Sequence, residues 1–215
     1  MRSNDKLKNA VVYLAGPIDN ATDLGRGWRQ EITHKIKQSN IQLKVLDPTQ
    51  KPHDAMSETS EEQIKIRQLK QTGQWDALVK FMKRLRRTDL RFVDLSDFII
   101  LYLDPTVHMV GSYNEMFVAE QQQKPILAIV NGTKADLSSW LFATLKPSEI
   151  FESVDECVAY LRCINDGTIE LDDRWLLIRD YLNQEPTAMD METFYKNVYQ
   201  PAKFLDECRN INGAE

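Results

Sequence analysis

Glu115 is the residue whose type and neighbours point most directly to chemistry. It belongs to the segment GSYNEMFVAEQQQKPILAIV, residues 111–130, which predicts a turn, a helix, a second turn and a buried strand. Ser112 and Glu115 have the S-x-x-E spacing of a capping box, in which the glutamate only stabilises the start of the helix. A carboxylate in the first helical turn would also stay ionised, as a nucleophile that attacks an electrophilic sugar carbon must. Both interpretations fit the pattern.

Short apolar runs that end at glycine or proline predict the strands that position this glutamate. They cover residues 11–15, 41–46, 98–103 and 125–130. Amphipathic helices are predicted at about residues 23–39, 60–71 and 75–95. The alternation predicts an α/β fold, a doubly wound parallel sheet of the Rossmann or flavodoxin type with helices on both faces.

The loops that follow these strands carry further polar residues. In such sheets ligands bind outside the carboxyl ends of the strands, so the loops after residues 15, 46 and 103 are expected to meet at one edge. Asp19 could accept a hydrogen bond from a sugar hydroxyl there, whereas Asp47 and Asp104 each precede a proline and fit turns as well as ligand contacts. Trp28 could line the site or belong to the core, and Asn114 could contact substrate or cap the helix.

Composition sets limits on the class of protein. The 215 residues are 42% hydrophobic and carry a net charge of -5, which is typical of a soluble globular protein and argues against general nucleic-acid binding. The basic run KFMKRLRRTDLR fits a solvated helix face or a site for a phosphate or polynucleotide. Three scattered cysteines predict neither disulfides nor a zinc site. With no apolar run long enough for a membrane span, the expected location is the cytoplasm.

Two parts of the chain are expected. Residues 1–165 would form the α/β domain, with a helical insert at about residues 57–87. Residues 166–215 would form a helical extension packed on that domain, with helices at about residues 189–197 and 202–208. The extension carries no recognisable motif.

Three segments carry a resemblance to a known family. In order they are VVYLAGPID, TDLRFVDLSDFIILYLDP and VGSYNEMFVAEQQQKPILAI. Together they resemble the nucleoside 2-deoxyribosyltransferase family and the related deoxynucleotide N-glycoside hydrolases. The resemblance covers about residues 11–140.

The resemblance implies a reaction and the residues that perform it. The family uses no metal or organic cofactor and usually assembles as dimers or hexamers. Its glutamate attacks C1′ of a 2′-deoxyribonucleoside, and the sugar then passes to a second base or to water. Matched by motif, Glu115 would be the nucleophile, Tyr13 would orient it, and Asp89 would contact the base or sugar and assist proton transfer.

Further residues are expected to contact substrate. By the motif match, Gly111 would allow the backbone to approach the sugar, and Ser139 and Trp140 would reach the site of a neighbouring subunit. The full set of expected substrate contacts is Gly16, Pro17, Asp19, Trp28, Asp104, Gly111, Ser112 and Asn114.

Two departures from the family pattern bear on the substrate. Met109, preceded by His108, occupies the position of an aspartate that helps to hold the base in transferases. Pro17 and Asp19 replace a serine and an arginine with which the nucleotide hydrolases bind the 5′-phosphate. The first prediction is therefore transfer of deoxyribose from a nucleoside to a free nucleobase by a homo-oligomer. Hydrolysis of a deoxynucleoside or its monophosphate is the alternative, and a non-catalytic nucleotide sensor is the second.

Overall fold

A computed structural model of the protein describes residues 5–19, 21–50 and 60–175. The helices predicted at residues 189–197 and 202–208, and with them most of the expected C-terminal extension, lie outside the described residues. Across the part that is described, no helix is both long enough and apolar enough to cross a membrane.

The centre of the fold is one sheet of five parallel strands. In chain order these are β1 (Val11–Ala15), β2 (Lys44–Leu46), β3 (Phe98–Leu103), β4 (Ile126–Val130) and β5 (Ile150–Phe151), and their order across the sheet is β2-β1-β3-β4-β5. Every neighbouring pair is parallel. β2 is shorter than predicted, because only its last three residues pair with β1. β5 was not predicted from the sequence, because two residues are too few to show a hydrophobic period.

Helices cover both faces of this sheet. They are α1 (Arg26–Gln38), α2 (Ser60–Gln71), α3 (Trp75–Leu95), α4 (Val110–Gln121) and α5 (Val154–Asp166). α1 and α5 bury their apolar sides against one face, and α3 and α4 pack against the other. Successive side chains of a strand point to opposite faces, so β1 sends Leu14 toward α1 and Tyr13 toward α4. The predicted doubly wound α/β fold is confirmed.

α1 begins three residues later than its apolar spacing predicted. Gly25 precedes the helix with φ 67°, a left-handed conformation that glycine adopts without strain. The Asp23 carboxylate accepts hydrogen bonds from the backbone N–H groups of Gly25 and Gly27, at 2.8 and 2.7 Å. Asp23 therefore terminates the turn and does not belong to the helix.

Arg29 of α1 holds the loop after β1 in place. Its side chain is fully buried and donates to the carbonyl oxygens of Leu14, Gly25 and Gly16, at 3.3, 2.7 and 2.9 Å. The Asp47 carboxylate lies 3.8 Å from its Nε and balances the charge. The loop that carries Gly16 and Pro17 is thus fixed from beneath by one guanidinium.

Replacing Arg29 with Met is expected to lower the free energy of unfolding by about 3 kcal/mol, because three buried carbonyls lose their donor and Asp47 loses its counter-charge. Urea unfolding followed by circular dichroism measures the change. Arg26→Met, at an exposed position of the same helix, is the matched control and should stay near wild type. Equal stabilities for the two variants would contradict this role for Arg29.

The end of α3 is anchored to β1 and β4. Asp97 accepts the backbone N–H of Val11 at 2.7 Å. Lys124, in the turn before β4, donates its Nζ to the carbonyl oxygens of Val93 and Asp94 in the last turn of α3. These bonds fix the position of α3 along the sheet. The position of Asp89 on this helix is fixed by the same contacts.

Candidate active site

A cavity of about 610 Å³ opens at the carboxyl edge of the sheet. Its walls come from the loop after β1, from the middle of α3 and from the start of α4. The chain passes from β1 to β2 on one side and returns to β3 on the other, so the cavity lies where the strand order reverses. Sheets of this order bind ligands at that point.

Glu115 and Tyr13 form a buried pair at this cavity. The Tyr13 hydroxyl donates to Oε1 of Glu115 at 2.8 Å, and the two residues are only 1% and 9% exposed. Burial, the charge of Glu115 and the charge of Asp89 raise the pKa of the Tyr13 hydroxyl well above its usual value. Tyr13 therefore remains protonated and fixes the direction of the Glu115 carboxylate.

Asp89 supplies a second carboxylate to the same cavity. It is 7% exposed and lies on the side of α3 that also buries Leu85 and Phe92, four residues before and three residues after it. Its charge contributes to the raised pKa of Tyr13, so it lies within electrostatic reach of the Tyr13–Glu115 pair. Two carboxylates and one neutral phenol thus surround one end of the cavity.

The capping-box interpretation of Ser112 and Glu115 is wrong. α4 begins at Val110, and the residue that precedes it is Met109, which makes no side-chain capping bond. Ser112 is therefore the third helical residue and Glu115 lies in the second turn, beyond reach of the free N–H groups. The expected placement of Glu115 in the first turn is wrong for the same reason. Its partner is the Tyr13 hydroxyl of a different element.

Six of the predicted substrate contacts line the cavity together. They are Gly16, Pro17, Asp19, Gly111, Ser112 and Asn114. A Cβ atom at Gly111 would meet nothing within 4 Å, so the space beside this glycine is open. Asp19 is exposed at the rim, where its carboxylate lies 3.6 Å from Nζ of Lys70.

Trp28 and Asp104 lie apart from this cavity. Both line a second cavity of about 330 Å³ on the α1 side of the sheet. Trp28 stacks on Tyr102 with ring centroids 5.0 Å apart, which fits the core interpretation. The Asp104 carboxylate accepts bonds from Thr106 and Asn131 and forms the turn after β3.

Ser139 and Trp140 are not among the residues that line either cavity. Both lie on a short 3-10 helix after β4, and Trp140 is 75% exposed. Their contribution to the site of a neighbouring subunit stays a prediction.

Sequence reasoning missed one polar residue of the cavity wall. Arg86 lines the cavity and donates its Nε to Oδ1 of Asn114 at 2.9 Å, which links α3 to α4 beside Glu115. A signal was present, since Arg86 lies three residues before Asp89 on a predicted helix and must share its side. Arg86 was instead interpreted only as one member of the basic run KFMKRLRRTDLR.

No set of three or more His, Cys, Asp or Glu side chains in residues 5–19, 21–50 and 60–175 is arranged to hold a metal ion. The polar side chains that line the cavity are three carboxylates, the Tyr13 phenol, the Ser112 hydroxyl, one guanidinium, one amide and the imidazole of His108. Such groups can bind hydroxyls and ring nitrogens and can exchange protons with them.

The family resemblance implies that Glu115 is the nucleophile, and for that role Tyr13→Phe is expected to lower kcat by about 10- to 100-fold while KM changes little, because Glu115 loses the donor that orients it. Loss of one buried hydrogen bond should cost about 1 kcal/mol of stability. Steady-state kinetics on a deoxynucleoside and urea unfolding measure the two effects. Tyr160→Phe, on α5 at the opposite face, is the control. Equal kcat in both variants would show that Tyr13 does not orient the reacting group.

Comparison with solved structures found a 2-deoxyribosyltransferase from the psychrotolerant bacterium Bacillus psychrosaccharolyticus. The match has 14% sequence identity and a TM-score of 0.49, and it covers 70% of this chain and 92% of that one. No protein-family model and no curated protein matched the sequence.

Proposed function

We propose that this protein cleaves the N-glycosidic bond of a 2′-deoxyribonucleoside and transfers the sugar to a second nucleobase. The observation that carries the proposal is the Glu115 carboxylate, buried at the cavity and held by the Tyr13 hydroxyl at 2.8 Å. The capping role is excluded, and the Glu115 carboxylate lines the cavity together with Asp89. The three sequence motifs that resemble the deoxyribosyltransferase family meet at the same cavity.

Glu115 acts as the nucleophile. One carboxylate oxygen attacks C1′ of the deoxyribose while the bond from C1′ to the base nitrogen breaks, and the bonding electron pair leaves with the base. The product is an ester between Glu115 and deoxyribose. A nitrogen of a second base then attacks C1′, the ester bond breaks and the Glu115 carboxylate is restored. Two displacements retain the configuration at C1′.

Asp89 acts as the general acid that protonates the leaving base. A base departs more easily when its nitrogen or a conjugated oxygen receives a proton as the bond breaks. Asp89 is buried on α3 and lines the same cavity as Glu115. In the second displacement the same group takes the proton from the incoming base. The sugar has no 2′-hydroxyl to withdraw electrons, which eases formation of positive charge at C1′.

Hydrolysis of a deoxynucleoside 5′-monophosphate is the alternative, and a specific observation favours it. The start of α4, with Val110, Gly111 and Ser112, lines the cavity, and Arg86 and Asn114 line it beside them. A helix N-terminus with an arginine beside it is suited to a phosphate. Pro17 and Asp19 supply no such donor in the first loop.

The non-catalytic sensor is the second alternative. It rests on Met109, which stands where transferases of the resembled family carry an aspartate. Met109 is buried, and its sulfur accepts the N–H of Asp104 at 3.3 Å, so it helps to close the turn before α4. The methionine therefore has a structural role at this position, and its presence is not evidence that catalysis has been lost.

The test is intact-protein mass spectrometry after brief incubation with deoxyinosine, deoxycytidine, thymidine or dCMP, with release of the base followed in parallel. The expected result is a deoxyribosyl adduct on the protein and exchange of the sugar when a second base is added. Release without exchange would replace transfer by hydrolysis. Turnover of dCMP but of none of the three nucleosides would identify a deoxynucleoside 5′-monophosphate as the substrate. Binding with neither adduct nor release would contradict enzymatic function.

A further inference from the structure

α3 has a basic side that the proposed reaction does not use. The helix carries six basic and three acidic residues, although the whole chain has a net charge of -5. Lys80, Lys83, Arg84 and Arg87 follow one another at spacings of three, one and three residues, so they share one side of the helix. All four are exposed, and none forms an ion pair with another described residue. We call these four residues the basic face.

An apolar stripe lies beside the basic face. Trp75, Val79 and Met82 recur at spacings of four and three residues, and they are 60%, 48% and 39% exposed. Met82 also lines the cavity, together with Arg86 one turn further along α3. The stripe therefore leads from the exposed indole of Trp75 to the cavity, over about 10 Å of helix.

We infer that the basic face and the apolar stripe bind a single-stranded nucleic acid, one nucleoside of which enters the Glu115 cavity. The inference rests on the proposed function, because it takes the cavity to be a nucleoside site. Single strands bind to surfaces that combine cations along the phosphate backbone with an aromatic ring on which a base stacks. The four cations and Trp75 supply this combination on one helix.

The continuity of the stripe with the cavity selects this partner over others. A membrane surface would also attract a basic helix with an exposed tryptophan. An acidic peptide would satisfy the charge as well. Neither contains the group that the adjoining cavity is proposed to hold, whereas a polynucleotide repeats that group beside each phosphate. A base within a strand must leave its neighbours to react, and a stacking residue outside the cavity lowers the free-energy cost of that step.

Fluorescence anisotropy with a fluorescein-labelled single-stranded oligodeoxynucleotide tests the inference on the full chain. Four cations predict a slope of about -3 in a plot of log affinity against log salt, a loss of roughly 50-fold between about 50 and 200 mM salt. Combined replacement of Lys83, Arg84 and Arg87 by Gln should reduce the slope to about -1. Trp75→Ala should weaken binding about tenfold and leave the slope unchanged, because stacking releases no counterions.

A control variant separates this face from general charge. Combined replacement of Lys8, Arg26 and Lys37 by Gln changes the net charge equally at exposed positions elsewhere and should keep the slope of about -3. The oligonucleotide should also inhibit base release from a free deoxynucleoside in wild type but not in the α3 triple variant. That variant should turn over the free deoxynucleoside normally, since none of its three positions lines the cavity.

The outcomes distinguish this inference from the proposed function. Turnover of free deoxynucleoside without oligonucleotide binding would overturn the inference and leave the proposed function intact. Oligonucleotide binding with the expected slopes but without any turnover would support the surface and contradict the proposed function. Oligonucleotide binding without inhibition of base release would contradict the entry of one of its nucleosides into the cavity. Binding to phosphatidylcholine vesicles that contain phosphatidylserine, but not to the oligonucleotide, would assign the surface to membranes instead.

Discussion

Glu115→Gln is expected to reduce base release by roughly 10,000-fold or more, because removal of a covalent nucleophile eliminates the pathway that depends on it. An amide oxygen is a poor nucleophile toward C1′, and the adduct seen by mass spectrometry should disappear. Glutamine has the size of glutamate and can still accept the Tyr13 hydrogen bond through its carbonyl oxygen. Folding should therefore survive.

The measurement combines initial rates of base release with urea unfolding of the same preparation. Glu120→Gln is the matched control, because Glu120 is an exposed glutamate on the same helix. Its rate and stability should equal those of wild type. A Glu115 variant that works within tenfold of wild type would exclude the covalent mechanism. An inactive variant that has also lost its unfolding transition would instead show that the carboxylate supports the fold.

Asp89→Asn is expected to lower the rate by roughly 100- to 10,000-fold, in the range that general acid–base catalysis contributes. The loss should depend on the base that leaves. 2′-Deoxy-5-fluorouridine releases a more acidic base than thymidine does, so its cleavage needs less proton assistance. The substitution should therefore slow cleavage of 2′-deoxy-5-fluorouridine less than cleavage of thymidine. An asparagine cannot donate or take the proton but retains the size of the side chain.

Kinetics on the two nucleosides, in wild type and variant, measure this dependence. Asp94→Asn is the control on the same helix, because Asp94 is exposed and its carboxylate contacts Arg91 and Gln122 outside the cavity. An equal loss for both nucleosides would contradict proton transfer by Asp89. It would favour a role of Asp89 in orientation of the sugar.

Local pattern predicted most of the sheet. The runs that became β1, β3 and β4 are apolar throughout, because each is buried on both faces, and glycine or proline stops β1 and β3. The prediction failed at the start of β2. Ile41 to Leu43 have the composition of a strand but lie outside the pairing with β1. Hydrogen bonds to a neighbour define a strand, and apolar composition alone does not contain that information.

The site shows the same division. The positions of Tyr13, Asp89 and Glu115 in their motifs made them candidates before any geometry was known, and all three line one cavity. Their catalytic roles stay predictions. The placement of Trp28 on the opposite side of the sheet follows from the packing of α1, which periodicity cannot assign to a face. The start of α4 at Val110 decided against a capping box that the spacing of Ser112 and Glu115 matches well.

By itself the sequence determined the types of the elements and the identity of the chemical groups, because hydrophobic period, turn residues and short motifs are properties of neighbours along the chain. Only the tertiary structure decided which carboxylates share a cavity, that a phenol from β1 holds Glu115, and that Met82 and Arg86 of α3 line the same opening. These are distances between residues as far apart as Tyr13 and Glu115, and they are set by how helices pack on a sheet.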